Sequence, residues 1–369
     1  MGEAIISRAT LIPDEVLNPI NPVPGYCVLV LTVKDSSGEI VPNASIKCTD
    51  GSASYTYNTN EKGKVRFTTN SGQVNILMYN KLTNNIYMAD QANTYINSIE
   101  APIGLVQNIE AKYNRLNSTI MFYPSSNGKY KFMDTDYVTM DIASGGGGGG
   151  GCGYCWADNP DGGPSYIGFG CGGGGGGGGI IRSINADVLK TEIYPLFVSS
   201  GGIGGSGIRN NYGGAASGSN GGSAGVSSFL NYSVNGGGGG GGGYGDYYGD
   251  NRPGKAGTSP SGGGKGGIGR SSYNRANSGR VNGTNGSKGN NNYGGGGAGG
   301  GGNGGGSSAG YTYYEFGGNP GGGGWKYTGS SYTYSMDGST GGGGAGGNTS
   351  RLSGGKGGDG YISIICYKR

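Results

Sequence analysis

Along the first third of the chain, apolar residues fall in short runs broken by turn residues, which is the signature of strands rather than helices. Tyr26–Lys34 (YCVLVLTVK) is rich in β-branched residues and stops at the turn Asp35-Ser36-Ser37-Gly38. In the next run Ala44, Ile46 and Cys48 fall on one face, while Ser45 and Lys47 take the other. Ser54–Asn58 and Lys64–Thr69 flank Asn60-Glu61-Lys62-Gly63, Gln73–Tyr79 follows Ser71-Gly72, and a further strand is expected within Ile99–Tyr113. Together these predict a small β-sandwich over residues 25–115. Before it, Pro13, Pro19, Pro22 and Pro24 forbid continuous helix or central strand. Residues 1–24 therefore read as an irregular arm suited to docking on a partner chain.

A second β pattern opens near Ser118. Thr119–Tyr123 (TIMFY) leads through Pro124-Ser125-Ser126-Asn127-Gly128 into Lys129–Met133, and Asn-Gly between two apolar runs predicts a hairpin. Tyr137–Ala143, Ile180–Ile184, Glu192–Ser199 and Gly360–Tyr367 are further strands by the same reading. The expected fold class is all-β, with an immunoglobulin- or prealbumin-like sandwich followed by a β-framed glycine-rich domain over residues 116–369.

Composition changes the picture in that last region. Of 92 glycines, 8 lie in residues 1–143 and 84 in the rest, including the unbroken runs Gly145–Gly151, Gly172–Gly179 and Gly236–Gly243. A spacer would gain no contacts to offset glycine's conformational entropy. Collagen is excluded by the lack of a Gly-X-Y period and by only 13 prolines. The remaining option is a lattice of extended helices with three residues per turn and about 3.1 Å rise, bonded side by side through their backbones. Side chains inside such a lattice would force neighbours apart, so its longest runs must be pure glycine. Runs broken by Ala, Ser or Asn suit peripheral positions.

Charge and reactive residues narrow the function. Net charge is +4, with residues 1–143 at −2 and the remainder at +6. Seven basic and no acidic residues lie between Arg252 and Lys288. That stretch suits an anionic partner, but it lacks Arg-Gly-Gly repeats and any RNA-recognition signature, so nucleic acid is not the expected partner. Histidine is absent, and no nucleophile, base and acid can be assembled; an enzyme, a catalytic residue and a cofactor are not expected. Cys27 and Cys48 read as buried small hydrophobes. Cys152, Cys155, Cys171 and Cys366 read as packed thiols, or as one disulfide, rather than a zinc site without histidine. Asp246, Asp250 and Asn251 match no calcium-loop spacing. The longest apolar run, Tyr26–Leu31, is too short to span a bilayer, so no membrane insertion is expected. The first residues show no basic segment followed by an apolar core, which predicts synthesis and folding in a cytoplasm.

Two resemblances follow from these residues. The string TVKDSSGEIVPNASIKCTDG…YTYNTNEKGKVRFTTNSGQVNILMYN resembles the prealbumin-like domain of carboxypeptidase regulatory modules and of bacterial surface repeats, which implies a spacer or connector. The opening MGEAIISR, the strand feeding DIASGGGGGGG, the segment GVSSFLNYSVNGGGGGGGG and the ending GGKGGDGYISIICYKR together resemble glycine-rich bacteriophage tail proteins. They also resemble tail-fibre adhesins with polyglycine-II tips. This second resemblance covers residues 1–8 and about 118–369. It implies a structural and adhesive component of a phage or phage-like tail, located in the virion. Its partners would be other tail or baseplate proteins at the N-terminal region and a bacterial surface glycan or protein; a homo-oligomer is compatible with this. The alternative is a surface or spore-coat structural protein.

The glycine runs are interrupted by aromatic insertions: Tyr244, Tyr247 and Tyr248; Tyr311, Tyr313, Tyr314 and Phe316; and Trp325, Tyr327, Tyr332 and Tyr334. Tyrosine and tryptophan among Gly, Ser and Asn give rigid contact area at low entropic cost, as in recombined binding loops. The tyrosines and Trp325 are the candidate receptor-binding residues. Shielding of the lattice flanks is the other role open to them.

Overall fold

A computed structural model describes residues 23–51, 53–82, 85–90, 94–113, 115–157, 166–211, 214–246, 252–258, 271–274, 324–327, 332–335, 337–338, 340–347 and 352–369. The architecture is all-β. The first strands are β1 (Cys27–Lys34), β2 (Ala44–Asp50), β3 (Ala53–Asn58), β4 (Lys64–Thr69), β5 (Gln73–Leu82), β6 (Ile86–Met88), β7 (Thr94–Glu100) and β8 (Val106–Lys112). β1 lies between β4, antiparallel, and β8, parallel. β2 pairs with β3 and β5, and β5 also pairs with β7. Leu29, Leu31, Ile46, Phe67, Ile76 and Met78 fill one core between these elements, with Cys27 and Cys48 buried as free thiols. The turns that close it follow local chemistry. Asp35 accepts bonds from the Ser37 and Glu39 N–H groups, while Gly38 takes φ +87°, which a residue with a Cβ adopts only at a cost.

The chain continues through β9 (Ile120–Phe122), β10 (Gly128–Lys131), β11 (Tyr137–Ala143), β12 (Gly153–Ala157), β13 (Tyr166–Gly170), β14 (Ile180–Asp187) and β15 (Tyr194–Phe197). After these come β16 (Ile208–Asn210), β17 (Ala216–Ser217), β18 (Ser227–Phe229), β19 (Tyr232–Val234), β20 (Tyr244–Gly245) and β21 (Ser271–Asn274). The last are β22 (Gly324–Tyr327), β23 (Tyr332–Ser335) and β24 (Tyr361–Tyr367). A near sheet runs β14–β11–β24–β9, and a far sheet runs β16–β12–β13–β21. Alternation along β24 buries Ile362, Ile364 and Cys366 in a second core with Phe132, Val138, Met140, Ile142 and Phe229.

The two cores are tied together. β6 follows β5 in the first sheet region and pairs in parallel with β10 of the second. Beside this seam the fully buried Asp90 accepts bonds from the Tyr113 hydroxyl, the Thr135 hydroxyl at 2.7 Å and the Asp134 N–H at 2.8 Å. Burial, and then the Asp90 charge, push the Tyr113 phenol well above its ordinary pKa, so it stays a donor. Lys190 reaches across to Asp35 and Glu39, each at 3.1 Å.

The hairpin expected around Asn127-Gly128 does not form. β9 pairs with β24 and β10 pairs with β6 and β15, in different sheets. Pro124–Ser126 makes one 3-10 turn, and Asn127 sits at φ −57°, ψ 130°, outside the left-handed conformation a tight hairpin needs. Its side chain instead receives the Val198 N–H at 2.6 Å and donates to the Val198 carbonyl at 3.1 Å. A side-chain clamp on a distant strand has displaced the local turn.

The chain passes back and forth as glycine runs between a near end and a far end. The near end is formed by the near sheet and by strands β15, β18 and β19 of the sheet that contains β10; the far end is formed by the far sheet and the β17–β20 pair. Residues 145–151 rise from β11 to β12, 172–179 return from β13 to β14, and 201–207 rise from β15 to β16. Residues 218–226 return from β17 to β18, and 236–243 rise from β19 to β20. Three buried hydroxyls mark the near end: Ser199 lies 2.8 Å from Ser144 and 3.2 Å from Ser227, and its oxygen also accepts the Gly145 N–H.

Candidate functional site

The run Gly145–Gly151 sits at the centre of this array, and its hydrogen bonds repeat every three residues. The N–H groups of Gly146, Gly149 and Cys152 donate to Gly358, Gly355 and Leu352; those of Gly147 and Gly150 donate to Gly176 and Gly173. Gly148 and Gly151 donate to Gly222 and Ser219. Its carbonyls accept from three other segments: Gly202 and Gly205, Gly344 and Gly347, and Gly237, Gly240 and Gly243. All three acceptor segments run antiparallel to it and all three donor segments parallel. Six neighbours thus satisfy both polar groups of a chain that has no side chains to bury.

That packing explains the composition. A Cβ added to Gly146, Gly147, Gly148, Gly149, Gly150 or Gly151 would lie 1.9–2.1 Å from a neighbour's carbonyl oxygen. At Gly225, near the end of its run, the nearest atom would be a side-chain carbon 3.6 Å away. Glycine is obligatory inside and dispensable at the margin. Ala345 is an exception, buried to 2% exposure within the array, so interruptions are not confined to open faces.

The far sheet closes the array with a small core of Cys152, Cys171 and Phe169. The Cys152 thiol points at Cys171 Sγ, 4.0 Å away; that contact, then burial, raises its pKa and keeps it protonated. Cys155 is buried here too, whereas Cys366 belongs to the second core. Among the described residues no group of three His, Cys, Asp or Glu side chains is placed to hold a metal ion, and no helix is long and apolar enough to cross a membrane. The Arg209 guanidinium lies 4.7 Å over the Tyr154 ring on this same sheet.

Of the sequence-predicted contact residues, Tyr244 is placed at the far end, half-buried, where β20 pairs with β17. It exchanges two backbone bonds of 2.8 Å with Arg252, whose guanidinium stands 5.6 Å from the ring centre. Tyr244 and Arg252 are thus backbone partners on either side of residues 245–251 in the sequence. Tyr247, Tyr248, Tyr311, Tyr313, Tyr314 and Phe316 lie outside the described residues, as does the expected docking arm apart from Val23 and Pro24. In the third insertion, β22 and β23 form an antiparallel pair with Trp325 opposite Tyr334 and Tyr327 opposite Tyr332. Asp337, two residues after β23 in the sequence, lies at the near end beside Lys356.

Polar residues on the outward face of the near sheet, Asp141, Arg182, Tyr361 and Ser363, escaped the sequence reading. The alternation of YISIICY carries a signal for two of them, because apolar positions 362, 364 and 366 leave 361 and 363 facing outward. No protein-family model and no curated protein matches this chain.

Proposed function

We propose that this chain is a structural and adhesive component of a phage or phage-like tail, acting in the virion as a tail-fibre or baseplate receptor-binding protein. On this reading the first β unit is a prealbumin-like connector, residues 1–24 dock on another tail protein, and the glycine array is a polyglycine-II lattice. The observation that carries it is the central run with six hydrogen-bonded neighbours at a three-residue period. An extended lattice of this kind is stiff, needs no oily core, and turns the chain round at its far end, where loops can be exchanged without disturbing the interior. On this reading Tyr244 and the aromatic insertion that follows it in the sequence supply such a contact surface. Chemistry of the enzymatic kind has no role in this account, and the receptor is a glycan or protein of a bacterial surface.

The test is made on particles. Antibodies against the far end should block adsorption, and exchanging residues 245–251 for those of a related chain should shift host range. Adsorption that survives deletion of the loops removes the adhesive role. Absence of the chain from purified particles removes the tail assignment and favours a surface-coat protein.

A further inference from the structure

We infer that Cys152 and Cys171 form a modification site, a dithiol placed to close as a cross-strand disulfide when the chain meets a peroxide. The site stands whether or not the far end binds a receptor. Cys152 ends the central run, and Cys171 opens the run that returns beside it, with Gly147 bonded to Gly176 and Gly150 to Gly173. β12 and β13 pair Gly153 with Gly170, and one further step of that register sets Cys152 opposite Cys171.

Backbone bonds decide which kind of pair this is. The Cys152 N–H donates to Leu352 and its carbonyl accepts from Ile208, while the Cys171 carbonyl accepts from Gly254. These groups are directed away from the opposite cysteine, so the pair is of the non-hydrogen-bonded kind. Cα atoms in such a pair lie about 4.5 Å apart, with the side chains at their closest. A disulfide spans Cα separations of about 4.4–6.8 Å. The two sulfurs already stand 4.0 Å apart. Bringing them to a bond of about 2.0 Å takes side-chain rotation and no exchange of backbone partners.

The other four cysteines are placed elsewhere. Cys155 is three residues from Cys152 and so on the opposite face of β12. Cys366 belongs to the second core, and Cys27 and Cys48 to the first. Cys152 and Cys171 are wholly buried and packed with Phe169, Tyr154 and Leu352. Their mutual contact, then burial, holds Cys152 as a thiol. Bulky reagents are thereby kept out and reaction is slow. Hydrogen peroxide, small and uncharged, is the class of oxidant that reaches such a pair.

The chemistry balances within the pair. Cys171, at which the Cys152 thiol points, gives up its proton and attacks one peroxide oxygen; the O–O bond breaks, and the leaving hydroxide takes that proton as water. The Cys152 sulfur then attacks the resulting sulfenic sulfur. The S–S bond forms, the S–O bond breaks, and hydroxide leaves with the Cys152 proton as a second water. Two electrons pass from the sulfurs to the peroxide. The product closes a loop between residues 19 apart and adds a covalent rung beyond the Gly147–Gly176 and Gly150–Gly173 bonds.

The experiment incubates the folded full chain with hydrogen peroxide, then unfolds, alkylates and digests it without reductant for peptide mass spectrometry. The expected product is a Cys152–Cys171 linked peptide lighter by two hydrogens, with Cys27, Cys48, Cys155 and Cys366 alkylated. Conversion of Met121, 40% exposed, to its sulfoxide shows in the same digest that the oxidant was active. The linked chain should survive proteolysis of the glycine region about tenfold longer or more, because the cross-link removes freedom from the unfolded chain. A reductant should abolish that gain. Cys171→Ala should lose both the linked peptide and the gain, whereas Cys155→Ala should keep both, with circular dichroism to check folding. Mapping of the parent chain needs no variant, so the pairing is decided even where Cys171→Ala misfolds. Met121 sulfoxide beside six alkylated cysteines, a link from either residue to Cys155, or sulfinic acid at Cys152 or Cys171 would overturn the site. So would a link that leaves proteolysis unchanged.

Discussion

The first β unit and the glycine array exclude water by opposite means. In the unit built from β1 to β8, side chains do the work: Leu29, Leu31, Phe67 and Ile76 are wholly buried, and backbone pairing is confined to sheets. In the array the side chains are missing, and backbone groups of each central residue bond to neighbours in three dimensions. The first design tolerates imprecision, because a core of oily side chains can shift and repack. The second cannot, because the atoms in contact are the chain itself, whose spacing is set by hydrogen-bond length. Sequence variation should therefore be graded in one region and all-or-none in the other.

The largest effect is expected from Gly149→Ala. Its Cβ would lie 1.9 Å from the Ala345 carbonyl oxygen, and relief would strain or break neighbouring bonds on several sides. A loss of about 4 kcal/mol or more is expected, seen as rapid proteolysis of the glycine region while the first unit stays resistant. A variant as protease-resistant as the parent would break the comparison.

Leu31→Ala should cost about 2–5 kcal/mol, the range for emptying a buried leucine site. It should lower the denaturation midpoint of the first unit and leave the glycine region protected. Equal destabilisation of both regions would show that the Asp90 seam couples them more tightly than their separate cores imply.

A smaller effect sharpens how the regions are joined. Burial works to raise the Asp35 pKa, but bonds from Ser37, Lys190 and the Glu39 N–H, with the Lys190 charge, outweigh it and hold the carboxyl below its usual 3.8. A lowered folded-state pKa gives stability that is complete above the unfolded value and is lost as pH falls through the folded one. Thermal stability should thus decline below about pH 4, and Asp35→Asn should flatten that decline while costing about 1–2 kcal/mol at neutral pH. An unchanged acid limb would assign the decline to other carboxylates.

How much was legible follows from what each region uses to hold itself. β1, β2, β4 and β24 announced themselves because alternation and turn residues record burial directly. The Asn127-Gly128 hairpin misled, since the clamp from Asn127 to Val198 spans 71 residues and leaves no local mark. The glycine runs stand out by composition, but they carry no sign of direction or neighbour. The far-end position of Tyr244, and Asp337 at the near end, could not be read from them. A bulge between Met140 and Ile142 joins Asp141 to Arg182 and Ser183; it depends on the pairing of β11 with β14 across 42 residues and was equally invisible.

The central place of Gly145–Gly151 has a consequence for how the molecule is made. This run leaves the ribosome before any of its six partners, and those from 344 to 358 are the last to appear. Until they arrive, it is a solvated strand with no local structure to fall back on. The array must then set in a late, cooperative step, slow because its contacts are distant in sequence. A chain stopped before residue 344 would leave the middle of the array open, so the passages from 344 to 358 are the keystone of its packing.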